Sequence, residues 1–166
     1  MLMRNLVWGL LCFVLIMNAC KKDSGCGYSD QKIVAPAAEQ QAVKDYLTSS
    51  NINTALKDSS GFYYEIISAG DGNGTPGLCS QVELAYTGQL TNGHIFDQAN
   101  NTAFTLGATI EGLRKGLPLI KKGGHIKLYI PPTLAYGSTD VKDNSGTVVI
   151  PANSILIFDI TMNSFY

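Results

Sequence analysis

Polar and apolar residues alternate from Gln81 to Leu90 (QVELAYTGQL), and Thr91-Asn92-Gly93 supplies a turn into His94-Ile95-Phe96-Asp97. This stretch predicts a β-hairpin. The same period of two marks Ile126 to Ile130, ended by Pro131-Pro132, and Ile155 to Phe165 predicts a terminal strand. Phe62 to Ile67 (FYYEII) is aromatic and β-branched and predicts a strand stopped by the glycine-rich run Ala69 to Gly74. Ala103 to Leu106 predicts a short separate strand. Two stretches change period: Pro36 to Ser49, with Ala42, Val43, Tyr46 and Leu47 at helical spacing and Pro36 at the first helical position, and Ile110 to Leu119, with apolar residues at 110, 113 and 117. Between them, Asn51 to Gly61 is polar and reads as a connector, and Gly137 to Val149 reads as a long polar loop with a mobile tip. Many antiparallel strands and one embedded helix predict an α+β domain with a sheet packed on a short helix.

The N-terminus follows another rule. Leu6 to Met17 is an unbroken apolar run preceded by one charge, Arg4, and followed by Asn18-Ala19-Cys20-Lys21-Lys22. The run is short for a membrane span but fits the core of a secretory signal. Ala19-Cys20 resembles a bacterial lipobox, with cleavage before Cys20 and acylation of Cys20; an uncleaved anchor or an ordinary signal peptide are the alternatives. The expected organisation is a signal peptide at 1–19, a lipidated tether at 20–35, a short helix and connector at 36–60, and a domain at 61–166. An exported protein on a bacterial membrane, at its periplasmic or surface face, is expected.

Composition narrows the partners. Of 166 residues, 15% are charged and 45% hydrophobic, with a formal net charge of −1. That is well below the ~25% charge of an average soluble domain, and it offers no field for nucleic acid. Loss of 1–19 removes Arg4 and no acid, leaving the remainder one charge more negative, and it removes the single tryptophan, Trp8. Cys12 goes with the signal, so Cys26 and Cys79 remain beside Cys20. In an oxidising compartment they can bridge tail to domain; the alternative is that Cys79 is a small buried hydrophobe at a strand start. His94 and His125 are isolated and suit strand or turn surfaces, and no residues have metal-ligand spacing, so neither metal nor cofactor is expected. Lys115, Lys121, Lys122 and Lys127 read as a solvated face rather than a lipid contact. Pro36 to Ser49 is too short for a sustained coiled coil, and a monomer is expected.

Seven short motifs occur in order: Ala85-Tyr86-Thr87-Gly88, Gly93-His94-Ile95-Phe96-Asp97, Phe104-Thr105-Leu106-Gly107, Ile110-Glu111-Gly112-Leu113, Leu134-Ala135-Tyr136-Gly137, Val149-Ile150-Pro151 and Leu156-Ile157-Phe158-Asp159. Together they make residues 61 to 163 resemble the FKBP family of peptidyl-prolyl cis-trans isomerases. The resemblance implies a twisted antiparallel sheet wrapped around a short helix. It implies apolar pocket walls at Tyr86, Phe96, Ile110 and Phe158, a hydroxyl donor to a ligand carbonyl at Tyr136, a second carbonyl anchor at the Ile110 N–H, and an acid beside the pocket at Asp97. Phe104, Thr109, Leu113, Val149 and Ile150 are the implied substrate contacts, with Val149 and Ile150 in a loop overhanging the proline.

The sequence also departs from the family pattern. Leu113 stands where the family commonly has tryptophan, Thr102 where a phenylalanine is usual and Thr109 where a larger aliphatic is usual. The basic residue that often pairs with the acid is missing from Gln98 to Thr102, leaving Asp97 without a partner from that stretch. The implied activity is rotation of X-Pro bonds in exported polypeptides, by an apolar pocket and without covalent chemistry. The departures keep a second reading open, a chaperone-like module that holds proline-containing segments with little turnover.

Overall fold

The structure, a computed structural model, describes residues 26–166. The expected signal peptide at 1–19 and the expected lipidation of Cys20 lie outside them.

Helix α1 spans Ala37–Ser49. Pro36 caps it with φ −55° and ψ 148°, just outside rather than at its first turn. A two-residue strand, β1 (Leu56–Lys57), interrupts the expected connector and pairs with β2 (Tyr63–Ser68). Strands β3 (Gln81–Leu90) and β4 (Ile95–Thr105) form the hairpin. The expected short strands on either side of Gln98 to Thr102 are one strand, β4, paired along its length with β3. The polar run held no apolar alternation, but β3 supplies its ladder. Register shifts between Leu84 and Tyr86 and between Gly88 and Gln89 absorb the irregularity.

A 3₁₀ turn (Leu106–Ala108) leads into α2 (Glu111–Gly116), continued by a 3₁₀ turn at Leu117–Leu119 that accommodates Pro118. Strand β5 (His125–Ile130) follows. Gly137 to Val149 is not an open loop: β6 (Val141–Lys142) and β7 (Val148–Ile150) pair as a small antiparallel ribbon. Its turn is closed by Asp143, whose Oδ1 accepts from the Ser145 N–H, the Ser145 hydroxyl and the Thr147 N–H. The Ser145 and Thr147 donors hold that carboxyl below its usual range. Strand β8 (Leu156–Phe165) ends the chain's regular structure.

The main sheet has the order β1-β2-β5-β8-β3-β4, antiparallel throughout. The period of two sends alternate residues to two apolar faces. Ile126, Leu128 and Ile130 of β5, with Leu156, Phe158, Ile160 and Met162 of β8, join the main core beside Leu106, Leu117 and Ile120. Tyr129 and Ile157, from the intervening positions, face Val43 and Leu47 of α1. Helix α2 lies very close to β5. A Cβ on Gly112 would stand 2.5 Å from Ile130 and one on Gly116 2.6 Å from Leu128, so these two glycines, one turn apart, let the helix backbone approach the strand.

Several surface expectations change. Residues 26–35 do not hang free as a tether: Cys26 is bonded to Cys79, Lys115 Nζ donates to the Gln31 carbonyl at 2.9 Å, and Ala35 is buried with its N–H on Ser60. Cys79 is exposed in a turn before β3, so it is a crosslink rather than a core hydrophobe. His125 is not isolated: its Nε2 lies 2.5 Å from Asp159 Oδ1, and Lys127 pairs with the same carboxylate at 3.4 Å. Lys115 is ion-paired too, with Glu111 at 3.2 Å and Asp30 at 3.3 Å, leaving Lys121 and Lys122 exposed. Burial opposes the charge on Lys115, but these two carboxylates outweigh it and raise its pKa.

Candidate functional site

Between the inner face of the β3–β4–β8 side of the sheet, the start of α2 and the β6–β7 ribbon lies a cavity of about 630 Å³. All eleven residues expected at the pocket line it: Tyr86, Phe96, Asp97, Phe104, Thr109, Ile110, Leu113, Tyr136, Val149, Ile150 and Phe158. Thr102 does not; it lies on β4 opposite Leu84.

Each wall has a local cause. Tyr86 on β3, Phe96 and Phe104 on β4, and Phe158 on β8 project from adjacent strands. Phe96 and Phe158 meet edge to face, with centroids 5.6 Å apart and planes at 80°. Tyr86 tilts against Phe158 at 6.2 Å and Phe104 at 6.0 Å. The Tyr86 hydroxyl donates to Asp97 Oδ2 at 2.6 Å, which supplies the partner that the sequence left open. Burial, then the hydrogen bond and field of Asp97, push the Tyr86 pKa far up, so its hydroxyl stays a neutral donor.

Ile110 is the N-cap of α2, with extended dihedrals (φ −65°, ψ 154°), and its carbonyl accepts from the Leu113 and Arg114 N–H groups. Leu113, three residues on, presents an aliphatic floor. Thr109 at the rim turns its hydroxyl back to the Leu106 carbonyl at 2.7 Å, so its polarity is spent within its own turn.

Tyr136 is 43% exposed on the turn that follows a 3₁₀ helix at Pro132–Leu134. The turn is locked by Gly137 N–H on the Pro132 carbonyl and by Asn153 N–H on the Gly137 carbonyl, with Gly137 at φ +60°. It is held from α1 as well: Glu39 accepts from the Thr133 N–H at 2.8 Å and the Thr133 hydroxyl at 2.7 Å. Burial and then the field of Asp97 raise the Tyr136 pKa, keeping that hydroxyl protonated.

Five further residues line the cavity: Leu84, Ala108, Ala135, Val141 and Ile160. Leu84 and Ile160 were within reach of the sequence, since each lies two residues from a wall aromatic on the same strand face. Val141 was not, because its position depends on pairing with Ile150 across the ribbon. Chemically, the site offers aromatic and aliphatic walls, one carboxylate and three hydroxyls, of which those of Tyr86 and Thr109 are bonded to Asp97 and to the Leu106 carbonyl. The one hydroxyl beside a carboxylate, that of Tyr86 on Asp97, is kept protonated by burial and by that carboxylate.

The sequence model of the FKBP-type peptidyl-prolyl cis-trans isomerase family matches residues 72–163. An FKBP-type peptidyl-prolyl cis-trans isomerase FkpA of Buchnera aphidicola is 40% identical over 117 residues, covering 68% of this chain and 44% of the relative. FkpA of Escherichia coli is 37% identical over 137 residues, covering 79% and 48% respectively. The crystal structure of Escherichia coli FkpA superimposes with a TM-score of 0.65 at 34% identity, over 78% of this chain and 60% of that one. The chain thus spans about half the length of the curated relatives it matches. The α+β architecture is that of these relatives, and the match covers the strands and helix that build the cavity: the chain belongs to the FKBP-type peptidyl-prolyl cis-trans isomerase family.

Proposed function

We propose that this chain is a peptidyl-prolyl cis-trans isomerase acting on exported polypeptides during folding. Residues 61–166 carry the activity, 36–60 brace it, and the chain reaches the cell envelope through the signal at 1–19 and a lipid on Cys20. The observation that carries the reading is the convergence of the eleven expected residues on one apolar cavity. The Cys26–Cys79 disulfide supports an oxidising compartment.

Rotation about an X-Pro bond faces a barrier of ~18–20 kcal/mol, because the amide loses its conjugation. The planar amide is more polar than the twisted one. A cavity walled by Tyr86, Phe96, Phe104, Ile110 and Phe158, floored by Leu113 and covered by Val149 and Ile150, therefore disfavours the planar state of a bound proline relative to the twisted state. The Tyr136 hydroxyl and the Ile110 N–H hold the flanking carbonyls, and Asp97 with Tyr86 closes one side. Thr109 completes the rim. A relative gain of ~7 kcal/mol suffices for about 10⁵ in rate. The substrate partner is a proline-containing polypeptide bound by a monomer.

A protease-coupled assay of cis-to-trans X-Pro conversion tests this. Wild type is expected to accelerate the conversion, and Phe96→Ala with Tyr136→Phe to lower kcat/KM about tenfold or more, equivalent to at least ~1.4 kcal/mol of transition-state stabilisation. Wild type and the double variant both at the uncatalysed rate would leave a module that binds proline segments without turnover.

A further inference from the structure

Of the sixteen residues that line the cavity, Asp97 alone carries a charged side chain. Among the described residues no ion pair includes it. Its neighbours along β4, Phe96 and Gln98, are uncharged, it faces Gly88 across the hairpin, and Lys142, beside the wall residue Val141, makes no ion pair with it. Its partner Tyr86 is a neutral hydroxyl that occupies Oδ2 and cancels no charge. The field of Asp97 reaches two walls at once, since it contributes to raising the pKa of both Tyr86 and Tyr136.

We propose that Asp97 makes the site selective for prolines flanked by a lysine or arginine, whose cation pairs with the free side of its carboxylate while the proline ring occupies the apolar cavity. The inference rests on the proline-binding reading of that cavity and names its substrate class.

The physical case has two parts. An exposed carboxylate at the mouth of a low-dielectric cleft projects its field outward and concentrates cations there. Because Asp97 stays in contact with solvent, a long cationic side chain can reach it without burying either charge, so the desolvation penalty of a buried pair does not arise. A glutamate or aspartate beside the proline meets the same field with the opposite sign, and this repulsion supplies the other half of the selectivity.

Calorimetric titration with four proline peptides tests the proposal: lysine immediately before or immediately after the proline, and the N-acetyl-lysine twin of each. Lysine and acetyl-lysine share the stem and differ in charge. At low ionic strength the lysine peptide is expected to bind about two- to five-fold more tightly than its twin in at least one placement, the range of an exposed pair. The ratio is expected to fall to one in 0.5 M salt and in Asp97→Asn, whose amide oxygen still accepts from Tyr86. A ratio of one in wild type in both placements, no measurable binding of any peptide, or a lysine preference that survives in Asp97→Asn would overturn it. A Pro→Ala version of the lysine peptide separates the two readings. Equal binding of that peptide defeats the proline pocket, while the lysine ratio continues to report on Asp97.

Discussion

Gly88 occupies the β3 position between Asp97 of β4 and Phe158 of β8, where an added Cβ would stand 2.7 Å from the Phe96 ring and 3.0 Å from the Phe158 ring. The absent side chain is what lets these two rings lie over the strand and still meet each other edge to face. A methyl group there must push one or both rings into the cavity, since the strand backbone is held on both sides by its ladders. Gly88→Ala is therefore expected to cost about 1–3 kcal/mol of stability, the range of overpacking in a close-packed interior. It should also weaken binding of a proline peptide several-fold, raising KM more than it lowers kcat. Calorimetric titration beside urea unfolding checks both, and unchanged affinity would show that the rings have room to retreat. The motif Tyr86-Thr87-Gly88 was visible in the sequence, but the reason for its glycine was not, because Phe96 and Phe158 come from two other strands.

Alternation made β3 and β5 legible, while β8 was legible as a terminal apolar run, with Leu156 and Phe158 in the main core and Ile157 against α1. Strand β4 was half hidden: as an edge strand it buries little, so Gln98-Ala99-Asn100-Asn101-Thr102 carries no period and its strand character comes from its neighbour. The β6–β7 ribbon was hidden for the same reason, its turn being written in Asp143 hydrogen bonds rather than in apolar residues. Helix α1 was legible as a helix and illegible in its role. Its Glu39 reaches across 94 residues of chain to Thr133, on the turn that carries Tyr136, and a long-range polar pair leaves no local pattern. Two hydrogen bonds to a carboxylate contribute about 1.5–3 kcal/mol each when part-buried. Glu39→Ala is expected to lower stability by about 1–3 kcal/mol, since water recovers part of that loss, and to reduce kcat/KM for isomerisation while Thr133 loses amide protection. Full activity with normal exchange at Thr133 would show that the Pro132–Leu134 turn stands without α1.

At the scale of the whole molecule, the chain before α1 behaves as a strap across the back of the cavity rim. Cys26 is fixed to Cys79, and the Tyr28 ring lies so close to Gly107 that a Cβ there would sit 2.3 Å from it. Arg114 of α2 stacks over that ring at 5.8 Å, hydrogen-bonds the Gly107 carbonyl and pairs with Glu111 at 3.2 Å. The turn from Leu106 to Ile110, whose other side lines the cavity, is thus held between strap and helix. The crosslink closes a separation of 53 residues, and the loop-entropy relation assigns such a closure about 4 kcal/mol, a figure approached where the strap stays docked without the bond and not where it comes loose. Cys26→Ser with Cys79→Ser is expected to lower the urea unfolding free energy, followed by circular dichroism, by about 2–4 kcal/mol. Tyr28, Asp30 and Ala35 retain their own partners in the folded state, while the unfolded chain, freed of its crosslink, exposes more surface, so the slope of the transition should rise. A loss below about 0.5 kcal/mol would mean that the strap comes loose once the disulfide is gone, the folded state then regaining the same freedom that the unfolded chain gains.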